Sequence, residues 1–399
     1  MPNRTRQHNQ SLRLWHRFTL LRSLMLIALI GVLLPMRPAT AASVQTIPLG
    51  ASPTGIALAP DGTLIVSNGR SYTISIVDPN TAASRDVAVG LLPLTPVIDP
   101  LHGRAFVASS AEPMVSEYNL ASQQIEASLT LAGPATAVGI DPSAHRLFVG
   151  VQPNLLQVFD TASLAPIATS TAGWNVNALA VDSVRARVAV LSRDDAMVTW
   201  FNSDGVMLGQ RFVGFQTRRL VHVEVTPPSE PGQPPDVDTH WETVNVSSEP
   251  SAIAIDSGSG WAWVTGELTG KLIGTDVDTE HPVHYVVGSK PRALAVLNGQ
   301  AYVANWGDNT ISLVNLADGA SSKQMVGYAP SAVVLDASHG RLLIAENIRN
   351  ALGVLDVNTR AYERIALGRN PSALAWDEAH NRVVVANSGS NSLSIVSLP

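Results

Sequence analysis

Histidine is the residue type that most invites a chemical reading, because ten are present and clustered imidazoles bind metals. Four of them occupy one recurring turn with an Asp before and an Arg after, in DPLHGR, DPSAHR, DASHGR and DEAHNR; they are His102, His145, His339 and His380. The Asp side chain can accept hydrogen bonds from the amides of such a turn, and the Arg can begin the next strand. This repetition predicts a structural role for all four.

Four other histidines fall near one another in the sequence. His222 stands two residues before Glu224 in VHVEV, and His240 stands two before Glu242 in HWETV, while His281 and His284 follow later. His222 and Glu224 would share one face of a strand, which is a usable spacing for two zinc or copper ligands. No motif supplies a third ligand, and His281 and His284 belong to an outer strand. We therefore predict no metal and no other cofactor.

Several signatures of enzymes are missing from the sequence. It contains no GxSxG nucleophile elbow, and without cysteine it has neither a thiol nucleophile nor a CxxCH haem attachment. GELTGKL, which begins at Gly266, is one residue short of a phosphate-binding loop, lacks Ser or Thr after Lys271 and stands between strands. We predict no catalytic residues from these patterns.

The positions of these residues are set by an internal repeat of about 40 residues, the period of a four-stranded propeller blade. The last copy, PSALAWDEAHNRVVVANSGSNSLSIVSL, recurs as PSAVVLDASHGRLLIAENIRNALGVLDV and PRALAVLNGQAYVANWGDNTISLVNL. Eight copies are present, and they begin at Pro53, Pro93, Gly133-Pro134, Asn175-Val176, Pro250, Pro291, Pro330 and Pro371. Each reads as four strands, A to D in chain order, with alternating apolar residues and turn signals between them.

The two ends of the repeat array complement each other. The last copy stops after strand C at Pro399, whereas VQTIPLG from Val44 resembles a strand D without its other three strands. A ring in which the N-terminal strand completes the last blade leaves no open edge. The predicted fold is therefore an all-β propeller of eight four-stranded blades, with seven as the alternative should one copy be degenerate.

The copy that contains Tyr302-Val303-Ala304-Asn305, the loop from Trp306 to Asn309 and then TISLVN resembles the YVTN-type β-propeller repeat. The likeness extends over nearly all of the chain after the first segment. The resemblance implies an exported or surface protein, usually without an assigned reaction. Related propellers include lactonases and the haem domain of some nitrite reductases.

One interval departs from the regular spacing. Strand D of blade four ends at Gly214, which leaves residues 215–248 as an insertion with two strand-like segments and a Pro-rich loop between them. These segments predict a hairpin. It either enlarges blade four by two strands or forms a flap over the ligand-binding face, because D–A connections open on that face.

Ligands of propellers usually bind where the D–A and B–C loops meet around the axis. Of the residues that follow the repeated Pro, only Arg292 is charged, and an Arg at the channel mouth suits a carboxylate or phosphate. The candidate ligand-binding residues on this face are Arg292, Glu267, Trp306, Asp308, Glu346, Arg349, Arg70, Tyr72 and Asp194. The B–C loops also contain Glu112, Arg193 and Asp195.

The first 41 residues predict a secretory signal peptide. They carry six arginines and no acidic residue, an apolar run from Leu24 to Leu34 too short for a transmembrane helix, and the cleavage pattern Ala39-Thr40-Ala41. The alternative is an uncleaved membrane anchor. We expect residues 42–399 to be the mature, exported propeller, periplasmic or extracellular, held together without disulfides.

Composition excludes several other classes. With 45% hydrophobic and 15% charged residues the chain is not disordered, and with 29 Gly it is not collagenous. The net charge is -6, and losing the six arginines leaves 20 basic against 32 acidic residues, or -12. Such a charge argues against a nucleic-acid partner.

Two functional hypotheses follow. The first is a non-catalytic, monomeric binding protein that recognises a small molecule, a peptide or an envelope protein through its loop face. The second is a lactonase-like or metal-assisted hydrolase that uses Glu267, Glu346 and Arg292 beneath the insertion as a lid.

Overall fold

The computed structural model describes residues 42–226 and 236–399. Ser43–Leu398 forms one compact unit. The predicted signal segment, residues 1–41, lies outside the described residues. Within the described ranges, no helix has both the length and the apolar character needed to cross a membrane.

The described residues form eight antiparallel sheets of four strands and one of two strands, and the first of these strands in chain order is β1 (Ser43–Pro48). Blades one to four comprise β2 (Pro53–Leu58), β3 (Leu64–Asn68), β4 (Thr73–Val77) and β5 (Ser84–Ala88); β6 (Val97–Asp99), β7 (Arg104–Ala108), β8 (Met114–Asn119) and β9 (Gln124–Thr130); β10 (Ala135–Asp141), β11 (Arg146–Val151), β12 (Leu155–Asp160) and β13 (Pro166–Thr171); β14 (Val176–Asp182), β15 (Arg187–Ser192), β16 (Met197–Asn202) and β17 (Met207–Phe212).

A hairpin of β18 (Phe215–Thr226) and β19 (Asp236–Val246) separates blades four and five. Blades five to eight comprise β20 (Pro250–Ile255), β21 (Ala262–Gly266), β22 (Lys271–Thr275) and β23 (Val283–Val286); β24 (Pro291–Leu297), β25 (Gln300–Asn305), β26 (Thr310–Asn315) and β27 (Ser321–Met325); β28 (Pro330–Asp336), β29 (Arg341–Glu346), β30 (Ala351–Asp356) and β31 (Tyr362–Ala366); β32 (Pro371–Asp377), β33 (Arg382–Asn387) and β34 (Ser392–Ser397), with a 3-10 turn at Glu378–His380.

The eight blades form a closed ring, as predicted. Each strand A contacts strand A of both neighbouring blades, including β2 with β32 across the ends of the chain. Blade eight takes its outer strand from the N-terminus, because β1 pairs with β34 in a register that sets Ile47 opposite Leu393. The strand that the last copy lacks is therefore supplied by the first strand of the unit, and the ring has no unpaired end.

Apolar side chains fill the seams between adjacent blades. Phe106 of blade two packs with Leu147 and Val149 of blade three, and Trp200 of blade four packs with Val264 of blade five. Strands B and C of blade six are largely buried on both faces, whereas its strand D is mostly exposed. Burial between blades thus explains why strands B and C read as nearly continuous apolar runs.

The Asn of the repeat joins three elements of its blade. Asn305 accepts a hydrogen bond from the Gly288 amide (2.9 Å) and donates to Thr310 and Ser312 (both 2.9 Å). Asn387 makes the corresponding bonds to Ser392 and Ser394. The end of strand B is thereby tied to strand C and, through Gly288, to the D–A loop.

The hairpin is a separate two-stranded sheet. Its strands pair with each other from Phe215 opposite Val246 to Thr226 opposite Asp236. Neither is hydrogen-bonded to β17 in the sheet of blade four, which keeps four strands. The alternative in which these strands enlarge blade four is therefore wrong, and the hairpin lies within the predicted limits 215–248.

Candidate functional site on the loop face

The loop face consists of the D–A and B–C loops, which hydrogen-bond to each other blade after blade. The amide of Trp306 donates to the Lys290 carbonyl (3.0 Å), and that of Glu267 donates to the Glu249 carbonyl (3.1 Å). The same pairing joins Arg193 to Asn175 and Ser388 to Asn370. Residues far apart in the sequence are thus brought together on one end of the propeller.

A β-bulge in strand A sets the direction of the side chain that follows the repeated Pro. The register with strand B shifts between Pro291 and Ala293, and likewise after Pro250, Pro330 and Pro371. The residue at the shift is left out of the ladder, and bulges of this kind re-aim a side chain. Arg292 occupies this position in blade six.

Most bulge residues serve the ring itself. Four of them, in blades four, five, seven and eight, donate a side-chain hydrogen bond to the carbonyl of the first strand-A residue of the next blade: Asn177 to Pro250 (2.9 Å), Ser251 to Pro291 (2.8 Å), Ser331 to Pro371 (3.4 Å) and Ser372 to Pro53 (2.9 Å). Arg292 makes no such bond among the described residues. It is therefore the bulge side chain whose charge is presented on the loop face.

Arg292 lies between a carboxylate and an aromatic ring. Its Nε and Nη2 donate to Glu267 Oε1 (3.0 and 2.8 Å), and its guanidinium carbon is 4.3 Å from the centre of the Trp306 ring. Lys290 Nζ lies 5.5 Å from the same ring. The Arg292 side chain remains 42% exposed, so the ion pair with Glu267 contributes little to stability and chiefly orients the guanidinium.

A second stacked pair lies on the next blade. The guanidinium of Arg349 is 4.3 Å from the centre of the Tyr328 ring, and the adjacent Ile348 is 62% exposed. Tyr328 belongs to the D–A loop between blades six and seven, and Arg349 to the B–C loop of blade seven. We call Lys290, Arg292, Trp306, Tyr328, Ile348 and Arg349 the blade 6–7 cluster.

Several loop carboxylates support the backbone. Asp308 accepts bonds from the Ser289 amide (3.1 Å) and the Thr310 hydroxyl (2.7 Å), and its Oδ2 is 3.8 Å from Lys323. Glu112 and Asp195 accept from the D–A loop amides of Leu91 and Trp174 (3.0 and 2.6 Å). These acidic residues hold the loops in place, and this structural role explains why they occur here even if they bind no ligand.

Three predicted residues lie on other blades of the same face. Arg70 and Tyr72 are exposed on the B–C loop of blade one, and Tyr72 is in the left-handed conformation (φ 58°). Asp194 is exposed on blade four, where its Oδ1 accepts a bond from Asn175 Nδ2 (3.0 Å). The structure shows no contact between these three residues and the blade 6–7 cluster.

Glu346, expected to face a ligand, is instead fully buried. It replaces the Asn of the repeat, and its Oε1 accepts a hydrogen bond from the Gly327 amide (3.0 Å) while Oε2 lies 3.2 Å from Arg364 Nε. Burial raises the pKa of the Glu346 carboxyl, and the charge of Arg364 partly offsets this rise. A Cβ on Gly327 would overlap the carboxylate, so only glycine fits beside it.

Three of the four turn histidines contact the aspartate of their own turn, a contact that was not predicted from the sequence. His102 Nδ1 is 2.7 Å from Asp99, and His380 Nδ1 is 2.9 Å from Asp377. His339 contacts Asp336 in the same way at 3.0 Å, whereas His145 packs against the His102 ring at 5.0 Å.

The histidines of the insertion do not share one face. Position 222 pairs with Thr239 and position 240 with Val221, so 222 and 240 lie on opposite faces of the hairpin. His284 is in strand D of blade five, where burial, together with the charge of Lys271, lowers its pKa. Among the described side chains, no three His, Asp or Glu form a group that could hold a metal.

Sequence reasoning missed four residues of the loop face. Lys290, Tyr328 and the exposed Trp174 stand in D–A loops before the start of strand A, whereas the predicted residues come from the B–C loops and from the position after the repeated Pro; the exposed Ile348 was missed within a B–C loop. An aromatic or aliphatic residue within an otherwise small and polar loop was the available signal.

Comparison with known proteins supports the fold alone. No family model matches the sequence, and neither does any curated protein. Over 88% of this chain, the designed Ika8 protein matches with a TM-score of 0.67 at 13% identity (98% of that chain). Virginiamycin B lyase from Staphylococcus aureus matches over 90% of this chain and 100% of its own, with a TM-score of 0.55 at 12% identity. Kuenenia stuttgartiensis hydrazine synthase matches over 92% of this chain and 99% of its own, with a TM-score of 0.56 at 13% identity. The chain is an eight-bladed β-propeller.

Proposed function

We propose that this protein is a non-catalytic binding propeller that recognises a peptide or protein with apolar and acidic groups through the blade 6–7 cluster. The observation that carries the proposal is the pair of stacked arginines, Arg292 on Trp306 and Arg349 on Tyr328, at 4.3 Å in each case. Tryptophan, tyrosine and arginine are the residue types that dominate binding energy in protein interfaces.

The arrangement of the cluster supports this proposal. The guanidinium planes are held by the rings and, at Arg292, by Glu267, so little side-chain freedom is lost when a partner binds. Ile348 adds exposed apolar surface beside Arg349. Nη1 of Arg292 donates to no described residue and is free for an acidic group.

The hairpin supports a role at the same end of the propeller. It enters and leaves through the D–A connection between blades four and five, where Ser247 Oγ donates to the Arg193 carbonyl (2.8 Å) and Arg193 lies 3.4 Å from Glu249. Both ends of the hairpin thus belong to the loop face. We propose that it acts as a flap that borders the bound partner.

The acidic groups of the hydrolase alternative are engaged in other contacts. Glu267 accepts two bonds from Arg292, and Glu346 is buried beside Gly327 and Arg364. A general base must reach its substrate directly or through one water. The geometry of these two carboxylates therefore favours the binding function.

Site-specific photocrosslinking tests this function. A photoreactive amino acid in place of Tyr328 should capture a defined partner, whereas the same group at Val184, which is exposed on the opposite face, should not. Trp306→Ala and Arg349→Ala should each lower the affinity for that partner at least tenfold, as expected for residues at the centre of an interface. Equal capture at both positions, or turnover of lactone or ester substrates, would contradict the proposal.

We further propose that the protein is exported and that its repeat is of the YVTN type. The cleavage pattern before Ala42 supports export. The joining role of Asn305 gives a physical reason for the Asn of the repeat. N-terminal sequencing of protein from its native source should begin at Ala42, and an intact Met1 would contradict export by cleavage.

A further inference from the structure

The face opposite the loop face carries a recurring ion pair. In blades four, seven and eight, an Asp ends strand A and an Arg five residues later begins strand B: Asp182 and Arg187 (3.2 Å), Asp336 and Arg341 (2.7 Å), and Asp377 and Arg382 (2.6 Å). Each guanidinium also reaches the next blade, where the partners are Asp276 (2.9 Å), Asn381 (2.6 Å) and Asn80 (3.0 Å). In these blades the repeat places a guanidinium in the seam.

Blade five keeps the carboxylate and lacks the guanidinium. Asp256 is the residue that corresponds to Asp182, but Trp261 stands where the Arg would be. Asp256 Oδ2 accepts bonds from the Ser259 amide (3.3 Å) and hydroxyl (2.6 Å). Oδ1 receives no hydrogen bond and no ion pair from residues 42–226 or 236–399. A buried carboxylate is thus left without the arginine that its counterparts in blades four, seven and eight have.

A cavity of about 400 Å³ occupies this seam between blades five and six. Its lining includes Asp256, Ser259, Trp261, Trp263, Tyr285 and Gly299. Gly299 lies in the A–B turn of blade six, close to the part of the seam that a guanidinium from blade five would reach. The space is therefore open at the place where other seams are filled by an arginine.

The aromatic walls of this cavity are held in place. Trp261 and Trp263 stack with ring centres 6.0 Å apart, and Trp263 and Tyr285 stack at 5.5 Å. The Tyr285 hydroxyl donates to the Leu316 carbonyl (3.1 Å). A Cβ on Gly274 would lie 2.5 Å from Trp263, so the ring requires glycine beside it. The cavity is a preformed pocket with a carboxylate at one end.

We propose that this seam is a binding site for an organic cation that carries a guanidinium group. The Asp256 carboxylate would pair with the charge, and the half-buried Trp261 ring would stabilise it through a cation–π contact. The protein contains its own example, because the guanidinium of Arg187 pairs with Asp182 and lies 4.6 Å from the centre of the Trp200 ring. A ligand guanidinium would reproduce these contacts between blades five and six.

The charges that surround the seam allow such a ligand. Arg185 bonds to the carbonyls of Ser257 and Gly258 (3.0 and 2.9 Å) and lies 3.3 Å from Asp182. Arg187 is paired with Asp182 and Asp276. Both arginines are thus compensated by blade-four and blade-five groups, and the chain carries a net charge of -6. Because the site lies on the face opposite the blade 6–7 cluster, it is independent of the proposed partner binding.

Calorimetric titration with arginine amide tests the site, with citrulline amide as the uncharged isostere. Arginine amide should bind at least tenfold more tightly than citrulline amide, and Asp256→Asn should remove that preference. Trp261→Arg supplies the guanidinium of the repeat and should abolish binding while leaving the unfolding midpoint unchanged or higher. Gln300→Arg, which places a guanidinium in the next seam, is the matched control and should leave the affinity unchanged.

The source of the guanidinium is distinguished by a second ligand. An acetylated Gly-Arg-Gly amide that binds more tightly than arginine amide would assign the site to a polypeptide side chain, whereas exclusion of the peptide would assign it to a free small molecule. Equal binding of arginine and citrulline amides, or full affinity in Trp261→Arg, would overturn the proposal.

Discussion

Replacing Ile47 by Ala tests whether the N-terminal strand holds the ring closed. Ile47 is 1% exposed, lies opposite Leu393 and packs with Leu64 of blade one and Val384 of blade eight. The substitution removes three carbons, which at about 0.8 kcal/mol each is roughly 2.4 kcal/mol before any cavity is counted. With the cavity, we expect the free energy of unfolding to fall by about 3–4 kcal/mol.

The assay is equilibrium unfolding in urea, followed by tryptophan fluorescence. Val44→Ala is the matched control, because Val44 lies on the same strand and is 41% exposed. It should change the free energy of unfolding by less than about 0.5 kcal/mol. If the two variants are equally stable, β1 does not close the ring in solution. A change in the slope of the transition would instead indicate that blade eight unfolds separately.

Three further predictions concern stability. Because burial raises the pKa of Glu346, the free energy of unfolding of the wild type should fall relative to that of Glu346→Gln as pH rises from about 4 towards 7. A difference between the two free energies that stays constant across that range would refute this prediction. Asn305→Ala should lower the free energy of unfolding by about 2–4 kcal/mol, because it leaves buried hydrogen-bonding groups without a partner. The exposed Asn358→Ala should lower it by less than about 0.5 kcal/mol, and urea unfolding measures both. Replacing residues 216–245 by a short Gly-Ser linker should change the free energy of unfolding by less than about 1 kcal/mol. The reason is that β18 and β19 pair only with each other, and an isolated hairpin is marginally stable. A decrease of more than about 2 kcal/mol would show that the hairpin packs on the blades.

The sign of the Glu346 effect follows from proton linkage. A carboxyl whose pKa is raised in the folded state binds its proton more tightly there than in the unfolded chain. Its contribution to stability is complete below the unfolded pKa and is lost as pH rises through the folded pKa. The Gln variant has no such proton, so only the wild type changes through this group.

The repeat made the fold predictable, because each copy reports on the same local structure. The starts of the copies agree with the strands that begin at Pro53, Pro250, Pro291, Pro330 and Pro371. The candidate site was harder to predict, because a B–C loop is polar whether it binds a ligand or supports its neighbour. Asp308 and Asp195 support D–A loop amides, and no sequence pattern separates them from Glu267.

The sequence by itself determined the architecture of this protein: eight blades, a ring closed by the first strand, and a hairpin between blades four and five. These features depend on the periodicity of the repeat and on the incomplete copy at each end of the array, which can be read from the sequence because every copy has the same order of strands. Only the tertiary structure decided that Glu346 is buried, that Arg292 stacks on Trp306, and that Asp256 faces a cavity. Such outcomes depend on which side chains meet across loops and seams. Some of these contacts join residues that lie far apart in the sequence, and others arise where one copy of the repeat carries a different residue from the other copies.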